Sequence, residues 1–345
     1  MSEVTKKLAS VIMAFMLAFT MVLSCNVQNA QAATNSVLKN WSGTFEKSLA
    51  NTTGWGTFDL NFYKANKNGK KLSTKWGTIG KTKAFLIKGV SGEYLKVVYG
   101  GKTGYVNKNY TMINLPDVLP SINYCIKNAS ASMYKCVGKN ITGITGKKLY
   151  STKKVYNKKI GRNEWIVPML YTTAVKIAKA QKTALGKGFC LKIYDAYRPH
   201  STTTYVYNKF STFLSKNKGI SSKAFSSQYG QSWFLARSTS SHNVASAIDV
   251  TLVYASNGNE AKMPTAMHEL SKRAVKYTNS GTKNAKSGYA SSMTSAAKTM
   301  NSIFIDAGMT TLASEWWHFQ DQSGYETNKG NVGNLENWYP TKLAY

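Results

Sequence analysis

The chain has 345 residues, of which 43% are hydrophobic and 12% aromatic, so it can bury a large core and is expected to be globular rather than disordered. This length predicts roughly two domains. The formal net charge is +30, which suits a polyanionic partner. The lysines are spread along the chain without a long run, so an ordinary solvated surface is the alternative explanation.

The first 32 residues predict a signal peptide. Two lysines precede an apolar run from Leu8 to Leu23, and Ala30-Gln31-Ala32 supplies a small-x-small cleavage site. That run is shorter than the ~20 apolar residues of a membrane-spanning helix. Cleavage before Cys25, which would then carry a lipid, is the alternative, because the preceding Val22-Leu23-Ser24 loosely resembles a lipoprotein signal.

Export determines which partners fit the positive charge. No later stretch approaches the length of a membrane span, so we expect a secreted or cell-wall protein whose mature chain has no transmembrane span. The polyanions of that location are wall polymers that carry phosphate or carboxylate groups. We therefore expect anionic cell-wall polymers as partners, and no nucleic acid.

Two regions of different composition follow the leader. Residues 33–57 are rich in Asn, Thr, Ser and Gly and predict a linker. Residues 58–116 hold short alternating apolar segments separated by turn signals, with Gly100-Gly101 as a hairpin signal, and predict a small all-β barrel. The segment from Tyr94 to Val106 resembles bacterial SH3-like domains, which commonly bind peptidoglycan. That resemblance implies an SH3-like domain over 58–116, with a simple spacer as the alternative.

Residues 117–345 predict one larger α+β unit, set off from the barrel by the prolines of "NLPDVLP". Helices and short strands are mixed there without the regular βαβ repeat of a parallel sheet. The predicted elements are a helix over 166–184, a strand over 189–199 and helices over 200–216 and 291–308.

Three cysteines remain after the leader, namely Cys125, Cys136 and Cys190. Cys125 and Cys136 could pair in an oxidising compartment, but the odd number does not describe a disulfide framework. Their pairing stays open at this point, and no cysteine catalysis is expected.

The four histidines of the chain are His200, His242, His268 and His318. His242 stands seven residues before Asp249 in "SSHNVASAID", and His318 stands three residues after Glu315 in "SEWWHF". Two histidines and one carboxylate form a recurring catalytic zinc set that leaves one position open for water. Glu315 would then be placed to act as a base on that water. A satisfied polar pair near the core is the alternative for His242 and Asp249.

Both motifs, in this order and with "YDAYRP" upstream, resemble the D-alanyl-D-alanine dipeptidase family of zinc peptidases, which belongs with the D,D-carboxypeptidases. The resemblance covers about residues 120–345 and implies a zinc D,D-peptidase-like domain. It implies Zn²⁺ held by His242, Asp249 and His318, with Glu315 as catalytic base and Arg198 as transition-state stabiliser. The implied substrate is the D-Ala-D-Ala dipeptide or a D-Ala-containing peptide of peptidoglycan.

Two positions depart from the family pattern. The family usually has glycine where Ala245 stands, and His268 occupies roughly the place of an aspartate near the substrate's amino group. His268 does not begin an HExxH zinc motif, because Lys272 stands where the second histidine would be. We interpret Asp195 as structural, either capping the next helix or orienting Arg198.

Three other functions remain open on the sequence alone. The first is a D,D- or L,D-carboxypeptidase or endopeptidase that acts on wall stem peptides. The second is a catalytically inactive wall-binding protein, against which the intact ligand set and Glu315 argue. The third is a non-haem iron oxygenase, because the same ligand set binds Fe(II), although export and Glu315 argue against it.

Overall fold

The structure, a computed structural model, describes residues 45–345. The predicted signal peptide and residues 33–44 of the predicted linker lie outside the described residues. Within the described part of the chain, no helix combines the length and the apolar character needed to cross a bilayer.

The described chain mixes strands and helices, which confirms the α+β class. Its strands are β1 (Thr52–Gly56), β2 (Leu60–Ala65), β3 (Lys71–Ile79), β4 (Phe85–Ser91), β5 (Tyr94–Tyr99), β6 (Lys102–Asn107), β7 (Thr111–Asn114), β8 (Asn123–Tyr124), β9 (Lys135–Cys136), β10 (Lys139–Asn140), β11 (Lys154–Asn157), β12 (Arg162–Trp165), β13 (Pro168–Leu170), β14 (Phe189–Asp195), β15 (Ala247–Tyr254), β16 (Glu269–Leu270), β17 (Thr310–Thr311) and β18 (His318–Gln320). Its α-helices are α1 (Leu115–Val118), α2 (Tyr171–Gly186), α3 (His200–Lys216), α4 (Lys218–Ala224), α5 (Gln231–Phe234), α6 (Ser295–Asp306), α7 (Gln322–Asn328) and α8 (Val332–Leu335). Short 3-10 helices span Phe45–Leu49, Lys108–Tyr110, Lys127–Ala129, Ser241–Val244 and Lys329–Asn331.

The largest sheet of the described residues has eight strands in the order β13-β7-β1-β4-β5-β6-β2-β3. Gly100 and Gly101 both adopt positive φ in the tight turn between β5 and β6, which confirms the hairpin that the sequence predicts. Leu95 and Val97 on β5 are fully buried while their neighbours are only partly covered, so one face of this hairpin packs on the core.

The small all-β barrel that the sequence predicts over residues 58–116 is not closed. In the described residues the edge strands β3 and β13 do not pair with each other, so the sheet stays open. The physical reason is that β13, which lies in the following unit, extends the sheet beyond β7 by antiparallel pairing. The SH3-like assignment stays a prediction.

The expectation of a linker is wrong for residues 45–57. Strand β1 is buried along its whole length and lies between β7 and β4. Its glycines are required by packing, because a Cβ on Gly54 would lie 2.6 Å from the Phe85 ring and one on Gly56 would lie 2.5 Å from the Phe58 carbonyl oxygen. A composition typical of a linker therefore belongs here to a tightly packed strand.

Polar contacts also join the N-terminal sheet to the following unit across the predicted boundary at residue 116. Asp117 is buried and accepts hydrogen bonds from the Thr53 amide at 2.9 Å and from Asn157 Nδ2 at 2.6 Å. Lys159 Nζ donates to Thr52 Oγ1 at 2.8 Å. The two predicted domains are thus connected by a shared sheet and by buried polar groups.

A five-stranded sheet in the order β17-β18-β15-β14-β8 forms the scaffold of the larger unit. Strand β15 lies at its centre and is antiparallel to both β14 and β18. The residues from Ala247 to Val253 on β15 are buried on both faces, which explains the nearly continuous apolar run in the sequence.

The predicted helices of this unit are present with shifted bounds. The helix over 200–216 is confirmed as α3, and the one over 291–308 appears as α6, which begins after the Thr294 cap. The helix predicted from residue 166 begins only at Tyr171, because residues 168–170 pair with β7 as β13. The predicted strand over 189–199 ends at Asp195.

Cys125 and Cys136 do not form a disulfide with each other. Burial raises the pKa of the Cys136 thiol to about 12, so this group stays a neutral thiol. The structure thereby answers the question that the sequence leaves open.

Candidate metal centre

His242 lies in a capped 3-10 turn just before β15. Ser240 caps this turn, and Asn243 completes a capping box by accepting the Ser240 amide hydrogen at 2.7 Å. Ala245 ends the turn in the left-handed region with φ of 56°, a conformation that favours glycine. Its buried methyl group packs in an apolar cluster with Val244 and Leu170, which offsets part of that backbone cost.

Asp249 and His318 are brought together by strand pairing. Asp249 lies in the middle of β15, and the antiparallel register places it directly opposite His318 on β18. On its other side Asp249 is opposite Asp195, the last residue of β14. Asp195, Asp249 and His318 therefore lie side by side on three neighbouring strands. This row contains two of the predicted metal ligands and the carboxylate that pairs with Arg198.

The three predicted ligand atoms converge on one point. His242 Nε2 and His318 Nδ1 are 3.2 Å apart, Asp249 Oδ1 is 3.2 Å from His318 Nδ1, and Asp249 Oδ1 is 3.4 Å from His242 Nε2. All three residues are buried. Tetrahedral zinc with bonds of about 2.0–2.1 Å has ligand atoms about 3.3 Å apart, so the spacing fits a zinc ion.

Outer hydrogen bonds fix the orientation of both histidine rings. His242 Nδ1 donates to the Ala196 carbonyl oxygen at 2.6 Å, which leaves the Nε2 lone pair free for a metal. His318 Nε2 donates to Gln320 Oε1 at 3.1 Å, which leaves Nδ1 free in the same way. Such partners of metal-binding histidines set the tautomer and raise the basicity of the ligand.

Glu315 lies in the turn before β18, at the wall of the same pocket. Its Oε2 is 3.9 Å from His318 Nδ1, and the side chain is buried. Burial raises the pKa of the Glu315 carboxyl well above its usual value, and the negative charge of Asp249 adds to this effect. A carboxylate with a raised pKa is a better proton acceptor, which suits a general base.

Arg198 is held next to the ligand set by buried acceptors. Its Nη1 is 2.8 Å from Asp195 Oδ2, 3.1 Å from Tyr134 Oη and 4.0 Å from Asp249 Oδ2. Burial alone would lower the pKa of the guanidinium, but Tyr134, Asp195 and Asp249 raise the pKa above its usual value. Arg198 therefore stays a cation, and it lines the same pocket as Asp249 and His318.

The pocket over this centre has a volume of about 330 Å³ and opens to solvent. Aromatic and hydroxyl side chains form much of its wall, among them Tyr134, Trp233, Tyr325, Ser240 and Thr239. Such a cleft offers apolar contact and hydrogen-bonding groups next to a reactive centre.

All five residues predicted for the site thus meet in one place. Asp195 orients Arg198, one of the two roles considered for it, and does not cap the next helix, whose N-cap residue is Pro199. His200 lies apart from the centre, on α3, with its Nδ1 3.2 Å from Glu336 Oε2. His268 is not part of the ligand set, as the broken HExxH motif indicates.

Sequence reasoning missed three residues that support the centre. Gln320 stands two residues after His318 on the same strand, so the strand period of two could have placed both side chains on one face. Tyr134 gives no local signal, because the fold brings it from a distant segment. Lys276 is completely buried and its Nζ donates to the His318 carbonyl oxygen at 2.9 Å, which no local pattern indicates.

Residues 139–332 of the chain match a family model described as D-ala-D-ala dipeptidase (Peptidase M15). The match spans more than half of the chain and includes every residue of the ligand set, Glu315 and Arg198. A comparison with curated proteins finds no match.

Proposed function

The chain belongs to the D-Ala-D-Ala dipeptidase family of peptidases, and we propose that it is a secreted zinc enzyme that hydrolyses D-Ala-D-Ala or a D-Ala-containing peptide of peptidoglycan. The observation that carries this proposal is the convergence of His242 Nε2, Asp249 Oδ1 and His318 Nδ1 within 3.4 Å, beside Glu315 and Arg198. Two histidines and a carboxylate with an open side are a catalytic rather than a structural donor set.

Zinc would be held by His242, Asp249 and His318. When bound in such a site, zinc polarises a carbonyl and lowers the pKa of water to about 7, which supplies a strong nucleophile at neutral pH. The outer hydrogen bonds from the two histidines to Ala196 and Gln320 support the same donor set, because they hold both rings with the ligand nitrogen deprotonated.

Glu315 carries the proton in this mechanism. As a carboxylate it accepts the proton of the attacking water, and as a carboxylic acid it returns that proton to the leaving amine. The burial of Glu315 and the position of its Oε2, 3.9 Å from His318 Nδ1 at the pocket wall, support this role. Glu315 argues against the iron oxygenase, since that chemistry does not need a base at this place.

Arg198 stabilises the negative charge that forms on the substrate's carbonyl oxygen during attack. It is a permanent cation at the pocket wall, and its ion pair with Asp195 fixes its position before substrate arrives. Removing a preorganised donor of this kind typically lowers the rate by about 10²–10³-fold.

The substrate can be the free dipeptide or the end of a longer stem peptide. Incubation of the zinc-loaded protein with D-Ala-D-Ala and, separately, with a stem pentapeptide tests this, with products identified by mass. Release of D-Ala from either substrate supports the peptidase. Release from the pentapeptide alone would overturn the dipeptidase in favour of a carboxypeptidase, and hydrolysis of neither would overturn both.

We also propose that the N-terminal sheet holds the enzyme at the wall through an anionic polymer that carries phosphodiester groups. Residues 58–116 contain eleven lysines and two acidic residues. Edge strand β3 is exposed over most of its length, and Trp76 on it is 43% exposed. The ammonium groups of Lys64 and Lys102 lie 4.8 and 4.6 Å from the Trp76 ring centre. An indole beside two cations offers a stacking face for a sugar ring and charge for phosphate.

Sedimentation of the full chain with purified cell walls tests this second proposal. A variant with Lys64→Gln and Lys102→Gln is expected to bind the walls less than the wild type does. The control carries Lys182→Gln and Lys187→Gln, which replace two exposed lysines elsewhere and give the same net charge as the variant. This control is expected to bind as the wild type does. Equal loss in both variants would show that only total charge matters and would overturn the assigned surface. Binding unaffected by prior removal of phosphate polymers from the walls would overturn the assigned partner.

A further inference from the structure

His268 is fixed at the back of the metal centre by its backbone. It immediately precedes β16, and its carbonyl oxygen accepts a hydrogen bond from the Lys135 amide at 3.2 Å, at the start of β9. Its φ of 60° lies in the left-handed region, which a residue with a Cβ adopts uncommonly. The pairing of β16 with β9 holds this conformation in place.

The imidazole ring of His268 is completely buried between aromatic rings. It stacks on Tyr134 with ring centres 4.4 Å apart and an angle of 18°, and Trp317 meets it edge-on at 5.7 Å. Tyr134 lines the pocket, whereas His268 does not. The ring therefore lies behind the pocket wall and does not contact a substrate there.

The polar contact of this ring is with Asp249. His268 Nε2 donates to Asp249 Oδ2 at 3.0 Å, while His268 Nδ1 is buried without a hydrogen-bond partner among the described residues. Asp249 Oδ1, the other carboxylate oxygen, is the atom that faces His242 and His318. One oxygen of Asp249 thus accepts from His268, and the other is directed at the proposed metal.

We propose that His268 is a positioning residue for Asp249, which rests on the zinc centre proposed above. By donating to Oδ2, His268 fixes the rotation of the carboxylate and keeps Oδ1 directed at His242 and His318, where it would be available to a metal. Arg198 Nη1 also lies near Oδ2, but its distance of 4.0 Å is too long for a hydrogen bond. Arg198 therefore cannot substitute for the hydrogen bond that His268 donates.

A positioning role and a substrate-binding role predict different losses. Removal of an outer partner of a metal ligand typically lowers metal affinity or activity by about 10–100-fold. Loss of a substrate contact instead raises KM and leaves metal affinity unchanged. Zinc affinity therefore separates the two roles without any measurement of turnover.

The test compares three variants by zinc affinity, measured by competition with a chromophoric chelator. His268→Leu removes the donor, and His268→Phe removes it while keeping an aromatic ring against Tyr134. His268→Gln keeps a side-chain N–H donor at about the reach of Nε2. We expect zinc affinity to fall by about 10–100-fold in the Leu and Phe variants and to recover in the Gln variant. The visible spectrum of the Co²⁺-loaded Leu and Phe variants should also change, because the coordination by Asp249 changes.

Thermal unfolding of the metal-free proteins serves as the control for folding. Wild-type zinc affinity in the folded Leu or Phe variant would overturn the positioning role, and so would an equal loss in all three variants, which would assign the effect to packing. A wild-type protein that does not bind zinc would overturn the proposed function itself, so the two failures can be told apart.

Discussion

Asp195 and Arg198 form a buried ion pair in which Arg198 Nη1 lies 2.8 Å from Asp195 Oδ2. The same carboxylate accepts hydrogen bonds from Asn128 Nδ2 at 2.5 Å and from Tyr150 Oη at 2.6 Å. Each of these partners donates a hydrogen bond to Asp195, so the side chain is fixed in place and in turn fixes the guanidinium at the edge of the pocket. The pair joins the end of β14 to the candidate site.

Replacement of Asp195 by asparagine is expected to destabilise the protein and to lower its activity. The amide nitrogen of the new side chain would face donors, and the buried Arg198 would lose its charge partner, which typically costs about 3–5 kcal/mol. Urea unfolding measures the loss. Asp306→Asn is the matched control, because Asp306 pairs with Lys286 on the surface and such pairs contribute little. Equal stability of the two variants would contradict the structural role of Asp195.

Replacement of Gln320 by leucine is expected to weaken zinc binding by about 10–100-fold, because His318 Nε2 loses its acceptor and the ring is freed to rotate. Chelator competition on the purified protein checks this. Gln228→Leu serves as the control, since Gln228 is exposed and accepts from the Ser280 amide far from the ligand set. Unchanged zinc affinity in the Gln320 variant would contradict the role assigned to this hydrogen bond.

The free energy of unfolding is expected to depend on pH through the partly buried Lys159. Burial lowers the pKa of Lys159 from 10.5 to about 8, although Asp117 opposes the shift. Between about pH 8 and 10.5 the unfolded chain therefore binds more protons at this residue than the folded chain does, so this group makes stability rise with pH in that window. Lys159→Met should remove this contribution. The difference between the unfolding free energies of wild type and variant, measured across the window, checks the sign, and a constant or decreasing difference would contradict it.

Residues 117–345 alone are expected to be less stable than the chain that begins at residue 45. Without the preceding segment, β13 loses its partner β7, and buried Asp117 loses the Thr53 amide. A buried group left without its partner typically costs about 1–3 kcal/mol. Thermal unfolding of the two proteins tests this. Identical midpoints would show that the two predicted domains are independent.

The ligand set could be predicted from the sequence because its signals are local. His242 and Asp249 lie in one short stretch, and Glu315 and His318 in another. The pairing of β15 with β18 is enough to bring the two stretches together. A shared metal site formed by both motifs already implies that the two stretches are neighbours. The α3 helix was predictable for a related reason, since its apolar spacing and the preceding proline act within the segment.

Features that depend on distant partners could not be predicted. The three residues of β13 carry no strand signal of their own and pair only because β7 is available. Strand β1 has a composition that is typical of a linker. Its glycines are there because Phe85 and Phe58 approach the strand too closely for a side chain, and the sequence does not show that approach. The role of His268 depends on a left-handed backbone and on two aromatic rings from other segments, which no local pattern shows.

The most direct test of the proposed mechanism is the Glu315→Gln variant of the zinc-loaded protein. Glutamine keeps the size of the side chain and leaves the three ligands unchanged, but it cannot accept the proton. We predict unchanged zinc content and a fall of about 10²–10⁴-fold in kcat for the wall peptide that the wild type cleaves. Hydrolysis of that peptide at the wild-type rate by the zinc-loaded variant would contradict the account.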